Sequence, residues 1–133
     1  MSMKRCFCVL MLLFALLPSL RGQGNADAVF VPISKYLYEG DAQKLSAWFY
    51  DSVELFVEKE SAVMSRSQAR LMMQTFFRNH TPERFTLAHS ASKAHVKSAV
   101  GKLVAGGEHF YVSIFLSDRG EGYKIQKLQI QKE

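Results

Sequence analysis

The chain has 133 residues, 48% hydrophobic and 22% charged, a globular composition that excludes a disordered or low-complexity protein; its length suits one domain, and it carries no internal repeat of the kind a solenoid needs. The formal charge of +5 overstates the basic character, because Lys4, Arg5 and Arg21 lie in an N-terminal segment read below as a signal, and from Gln23 onward 14 basic residues face 12 acidic ones. With no run of three bases in that stretch, nothing marks an electrostatic footprint for nucleic acid.

Lys4 and Arg5 precede an uncharged apolar run over residues 6–17; Pro18 and Ser19 then interrupt it, and Gly22, Gly24 and Ala26 supply small side chains. This is the three-part layout of a secretory signal peptide, residues 1–22, with a cleavage point left open between 22 and 28. Twelve helical residues span roughly 18 Å, against about 30 Å for a bilayer core, which sets the signal reading above an uncleaved anchor. The expectation is an exported protein, periplasmic or secreted, with no membrane association after cleavage. Cys6 and Cys8 both fall inside the signal, so the processed chain would have no thiol for a disulfide, a nucleophile or a metal site.

In the domain, residues 29–132, the spacing predicts a helix over 30–39, with Pro32 in its first turn, Val29, Ile33 and Leu37 on one stripe, and Gly40 ending it. Asp41 is a suitable N-cap for a second helix over 42–49. Val53, Leu55 and Val57 alternate with polar neighbours as in a half-buried strand, and residues 61–64 form a short return strand. Ser65-x-x-Gln68 is a capping box opening a helix in which Ala69, Met72, Met73, Phe76 and Phe77 share a face; Pro82 ends it near Asn79.

The remainder reads as strands over 85–91, 94–105, 108–117 and 123–131. Gly106-Gly107 is a two-residue hairpin turn, and the broken alternation of Ile125, Leu128 and Ile130 predicts a bulge near Gln126–Lys127. The turn sets Ala105 opposite Glu108, which puts Leu103, Gly101 and Ala99 across from Phe110, Val112 and Ile114 on an apolar face suited to the helices. The other face pairs Val104 with His109, Lys102 with Tyr111, Val100 with Ser113 and Ser98 with Phe115; its mixed character suits a partner sheet. The class is α+β.

His80, His89, His95 and His109 show no metal-ligand spacing, so no metal and no cofactor is expected. His80 follows a helix, where it can meet the last carbonyls. His89 alternates with Phe85 and Leu87 and is expected to point inward with them. There is no Gly-x-Ser-x-Gly elbow and no phosphate loop. Trp48, Phe49, Phe76, Phe77 and the Met72–Met73 pair read as core before they read as the lining of a cofactor site.

The run Gly40-Asp41-x-x-x-Leu45-x-x-x-Phe49-x-Asp51-x-Val53-x-Leu55 resembles the opening of the nuclear transport factor 2-like superfamily. The stretch from Phe30 through Lys35-Tyr36-Leu37 to Leu45-Ser46, with Thr81-Pro82 and Gly106-Gly107-Glu108, resembles one uncharacterised family of small exported bacterial proteins within it, over residues 29–132. The resemblance implies a cone of three N-terminal helices packed on a curved antiparallel sheet, a pocket between them, and homodimers formed through the outer sheet face. Candidate pocket residues are Tyr36, Trp48, Phe76, His89, Phe110 and Val112; candidate dimer-face residues are Tyr111, Ser113 and Phe115. The expectation is a non-enzymatic binding or assembly module of the cell envelope, able to hold a small apolar ligand in the cone. The alternative is an isomerase- or hydrolase-type enzyme of the ketosteroid isomerase-like kind using His89 with Tyr36 or Tyr111. Where such enzymes carry their carboxylate base, this chain has Leu55-Phe56-Val57.

Overall fold

The computed structural model describes residues 28–133; the signal segment 1–22 and nearly all of the cleavage window 22–28 lie outside the described residues. The chain opens with α1 (Phe30–Glu39), whose Phe30, Ile33 and Leu37 are buried along one stripe. Gly40 closes it in the left-handed region, φ 69°, and Asp41 N donates to Tyr36 O at 2.9 Å. The Asp41 carboxylate then caps α2 (Ala42–Ser46) by accepting from Lys44 N at 3.0 Å. The second helix is shorter than the 42–49 expected. Ile125 N donates to Trp48 O at 2.7 Å, and this drawn-in backbone makes Phe49 the first residue of β1 (Phe49–Val57).

β2 (Glu60–Ser65) returns antiparallel to β1, and α3 (Arg66–Asn79) follows with both hydrogen bonds of the predicted capping box, Gln68 N to Ser65 Oγ and Ser65 N to Gln68 Oε1. Four strands complete the chain: β3 (Pro82–Lys93), β4 (Val96–Ala105), β5 (Glu108–Asp118) and β6 (Tyr123–Lys132). Ala94 and His95 turn between β3 and β4, Ala94 at φ 54°, so the expected start of β4 at 94 moves to Val96.

The expectation of three N-terminal helices on an antiparallel sheet needs two corrections. Only two helices precede the sheet; α3 lies between β2 and β3. The sheet is mixed, in the order β2-β1-β6-β5-β4-β3, and β1 pairs with β6 in parallel. The last strand enters between β1 and β5, and that insertion fixes its direction relative to β1; strand order is a non-local fact that alternation cannot carry.

The β4–β5 register is the one the Gly106-Gly107 turn predicts, from Ala105 opposite Glu108 through Ser98 opposite Phe115. The predicted bulge is also present: Phe115 pairs with Lys127 and Leu116 with Ile125, leaving Gln126 as the extra residue and turning Ile125, Leu128 and Ile130 all into the core. Phe49, Leu55, Leu103, Phe110, Val112, Ile114 and Ile130 meet Phe30, Ile33, Leu37, Leu45 and Met73 from the helices in one buried cluster.

A second bulge corrects the placement of His89. Leu87 pairs with Gly101 but His89 pairs with Val100, so Ala88 is the extra residue. A one-residue slip reverses the facing of every side chain beyond it. Phe85 and Leu87 therefore pack against the core, whereas His89 is exposed on the outer face, in one cross-sheet row with Val100, Ser113, Gln129 and Phe56.

Candidate functional site: a groove beside α3

The inner face is well filled over most of its area, but a groove of about 1030 Å³ stays open between α3, the β1–β2 turn and the end of β6. Leu71, Met72, Thr75, Phe76 and Asn79 line it from α3, Val57 to Glu60 from the turn, and Gln131 and Lys132 from β6. Leu71 is 56% exposed, a large apolar side chain left uncovered on the groove wall, and Phe76 is buried beneath it. The α3 residues that line it recur one helical turn apart, which is why one flank of an amphipathic helix can serve the core and the groove together.

Polar groups gather at one end. His80 N donates to Phe76 O at 2.8 Å and ends α3, and the His80 ring lies against Phe76 at 4.8 Å and edge-on to Phe110 at 5.2 Å. Its Nε2 is 3.6 Å from Glu58 Oε1. Glu58 occupies the left-handed region, φ 57°, and its amide donates to Ile130 O at 2.8 Å, which seats the turn on β6. On the same end Lys132 Nζ approaches Glu108 Oε2 to 2.7 Å. The hydrogen bond from Lys132 holds the Glu108 carboxyl below its usual range, against a smaller opposing effect of burial, and Glu108 in turn raises the Lys132 ammonium.

The sequence-predicted pocket residues are not gathered in one cavity. Phe76 lines the groove. Phe110 and Val112 are fully buried, and Phe110 meets Phe76 edge-on with ring centroids 5.2 Å apart. Tyr36 and Trp48 are half-buried against the core, and His89 is on the far side of the sheet. His89 and Tyr36 therefore do not converge, whereas Tyr111 shares the outer face with His89, one row along from Val100 and Ser113. Among the described residues no group of three His, Cys, Asp or Glu side chains is arranged to hold a metal ion.

Tyr111, Ser113 and Phe115 do lie together on the outer face of β5, with Tyr111 41% exposed. The Tyr111 hydroxyl donates to Glu133 Oε1 at 3.2 Å, and Lys102 Nζ reaches the same oxygen at 3.4 Å while standing over the Tyr111 ring. The hydrogen bond from Tyr111, followed by that from Lys102, holds the Glu133 carboxyl below its usual range.

Sequence reasoning assigned Glu58, Leu71 and Lys132 to no site and read His80 only as a helix-end residue. The Met72–Phe76 stripe was a visible signal, but Leu71 sits off it, and nothing local announces that the β1–β2 turn and the end of β6 meet α3.

Two helices, a hairpin, a capping-box helix and four further strands curled over one core define an α+β protein of the nuclear transport factor 2-like fold. The solved structures agree. The chain is similar to a DUF4783 protein from Bacteroides ovatus, with a TM-score of 0.74 and 24% identity over 77% of this chain and 94% of that one. The corresponding protein from Bacteroides uniformis gives a TM-score of 0.73 at 24% identity, again over 77% and 94% of the two chains. An NTF-2 like protein of unknown function from Silicibacter pomeroyi gives 0.59 at 14% identity over 82% and 94%. The family profile described as Domain of unknown function (DUF4783) matches residues 30–131, and the chain belongs to that family. No curated protein matches it.

Proposed function

We propose that this protein is an exported, non-enzymatic binding module of the cell envelope that holds an apolar small molecule in the groove beside α3 and pairs with a second copy through its outer sheet face. The groove carries the reading: about 1030 Å³ of concave space, in which Val57, Leu71, Met72 and Phe76 supply apolar lining beside polar and charged groups from the β1–β2 turn, α3 and β6. Ligand sites are concave and range over about 300–1000 Å³. The outer face supports the pairing, since Tyr111, Val100 and Val63 are exposed there among Ser98, Ser113 and Phe115. The three-part N-terminus supports export, and among the described residues no helix is long and apolar enough to cross a membrane.

Native mass spectrometry of the protein purified from its producing cells tests all three parts. The expected spectrum is a dimer of chains cleaved between residues 22 and 28, carrying a reproducible non-protein mass. Leu71→Glu, at an exposed position, should lose that mass and stay folded; Tyr111→Arg should give monomer. A wild-type species that is bare, or a bound mass that Leu71→Glu retains, overturns the groove reading.

A further inference from the structure

Cations gather where the β5–β6 loop meets the outer face. Tyr50, near the start of β1, donates its hydroxyl to Ser117 O at 2.6 Å, which fixes the ring against β5. Arg119 in the loop places its Cζ 3.9 Å from the centre of that ring, and Lys124 Nζ lies 5.9 Å from the same centre. Beside them Lys127, opposite Phe115 in the strand register, holds its Nζ 5.5 Å from the centre of the Phe115 ring. Among the described residues, none of these three cations has a carboxylate within 4 Å. The nearby acids are engaged otherwise or stand off. Asp51 pairs with Arg66 at 2.9 Å. Asp118 turns its carboxylate into the loop, where Oδ1 accepts from Gly120 N at 2.8 Å and Gly122 N at 3.1 Å. Glu54 is opposite Lys127 in the register without pairing to it, and Glu121 is exposed on the loop.

An aromatic ring attracts a cation but does not neutralise it, so the two cations at Tyr50 repel one another. A guanidinium stacked on a ring keeps its N–H groups directed outward in its own plane, a fork that matches two oxygens of a phosphate. An ammonium adds a compact charge with three donors. We propose that Arg119 and Lys124 at Tyr50, flanked by Lys127, form a binding site for a phosphate group. Its oxygens accept from the guanidinium and from the Lys124 ammonium, and its charge relieves their repulsion. The site is independent of the groove, and on the outer face it lies toward the other end of β5 from Tyr111. A soluble phosphate ester and a lipid headgroup both carry this chemistry.

Inorganic phosphate is the first probe, titrated into the folded protein at constant ionic strength with chloride as the balancing anion. It should move the Gly120 and Gly122 amide signals and the Arg119 Nε–H signal saturably, with a Kd in the millimolar range because the site is open to water. Acetate, with one charge and two oxygens, should bind at least about threefold more weakly. Lys124→Gln and Arg119→Lys should each weaken phosphate by about threefold, the scale of one exposed charge contact. Lys44→Gln, which removes a cation from the Tyr36 ring instead, should leave the Kd unchanged. The rest of the amide spectrum reports that each variant stays folded. Vesicles of phosphatidylcholine mixed with phosphatidylglycerol, set against phosphatidylcholine alone, then identify the source. Cosedimentation with the mixed vesicles that Lys124→Gln reduces assigns the site to a lipid headgroup; phosphate binding without it assigns the site to a soluble ester. Signals that do not saturate, acetate binding as tight as phosphate, or a phosphate Kd unchanged by Lys124→Gln overturns the proposal.

Discussion

Gly101 lies beneath the ring of Phe85: a Cβ on Gly101 would stand 2.5 Å from Phe85 Cζ and 2.8 Å from Thr86 O. The two residues sit on neighbouring strands of the inner face, where Leu87 pairs with Gly101 and Phe85 with Leu103. The missing side chain is what lets the Phe85 ring fold down over β4. Gly101→Ala forces the ring and the β3 backbone apart. We expect a loss of about 1–3 kcal/mol by urea unfolding. In the Phe85→Leu background the same change should cost less, since the ring edge is gone. Additive losses would show that the ring is not what Gly101 accommodates.

Phe110 is fully buried and touches both Phe76 and His80 by ring contacts. Phe110→Ala should cost about 3–5 kcal/mol, transfer and cavity terms together. It should also broaden the His80 ring resonances, because one wall of the ring's seat is removed. A loss near 1 kcal/mol would mean that the helices collapse into the space.

The Ser65–Gln68 capping box satisfies the amides of Gln68 and Ser65 at the start of α3, where Arg66 also ties Phe49 O and Asp51. Ser65→Ala should lower stability by about 0.5–2 kcal/mol. Ser65→Asp, which can still accept from Gln68 N, should recover most of it.

The Glu108–Lys132 pair sets a pH dependence. The folded Glu108 carboxyl lies below its ordinary value, so its contribution is present above the unfolded carboxylate range and is lost as pH falls through the folded value. The folded Lys132 ammonium lies above its ordinary value, so its contribution is complete below the unfolded lysine value and is lost as pH rises through the folded one. The Tm difference between wild type and Glu108→Gln should thus be widest near neutrality, shrink below about pH 4 and shrink again above about pH 10. A difference that is flat across that range would remove the pair as its source.

On the outer face, Tyr111→Phe deletes the hydroxyl that donates to Glu133. The Glu133 carboxyl should then titrate at higher pH than in wild type, moving toward its ordinary value, with Lys102 and His109 left to lower it. Carboxyl-detected NMR titration reads this directly.

Gly40 and Asp41 end one helix and begin the next because a left-handed residue and a carboxylate cap act within a few positions, and both were readable. Ser65-x-x-Gln68, the Gly106-Gly107 register and the Gln126 bulge were readable for the same reason: each is a local rule whose partners lie close in sequence. The DUF4783 likeness was legible as an uncharacterised nuclear transport factor 2-like family on a similar basis.

His89 shows the limit. Its alternation with Leu87 is real in the sequence, but the Ala88 bulge reverses it, and no local residue requires a bulge there. Glu58, His80, Glu108 and Lys132 come from a turn, a helix end and two strands, and nothing in their spacing foretells their meeting. Turns, caps and periodicity follow from short-range sterics and hydrogen bonding, and these are written in neighbouring residues. The parallel entry of β6 beside β1, the facing of His89 and the groove beside α3 depend on contacts between segments far apart in the chain. Those contacts exist only once the whole sheet has closed over its core.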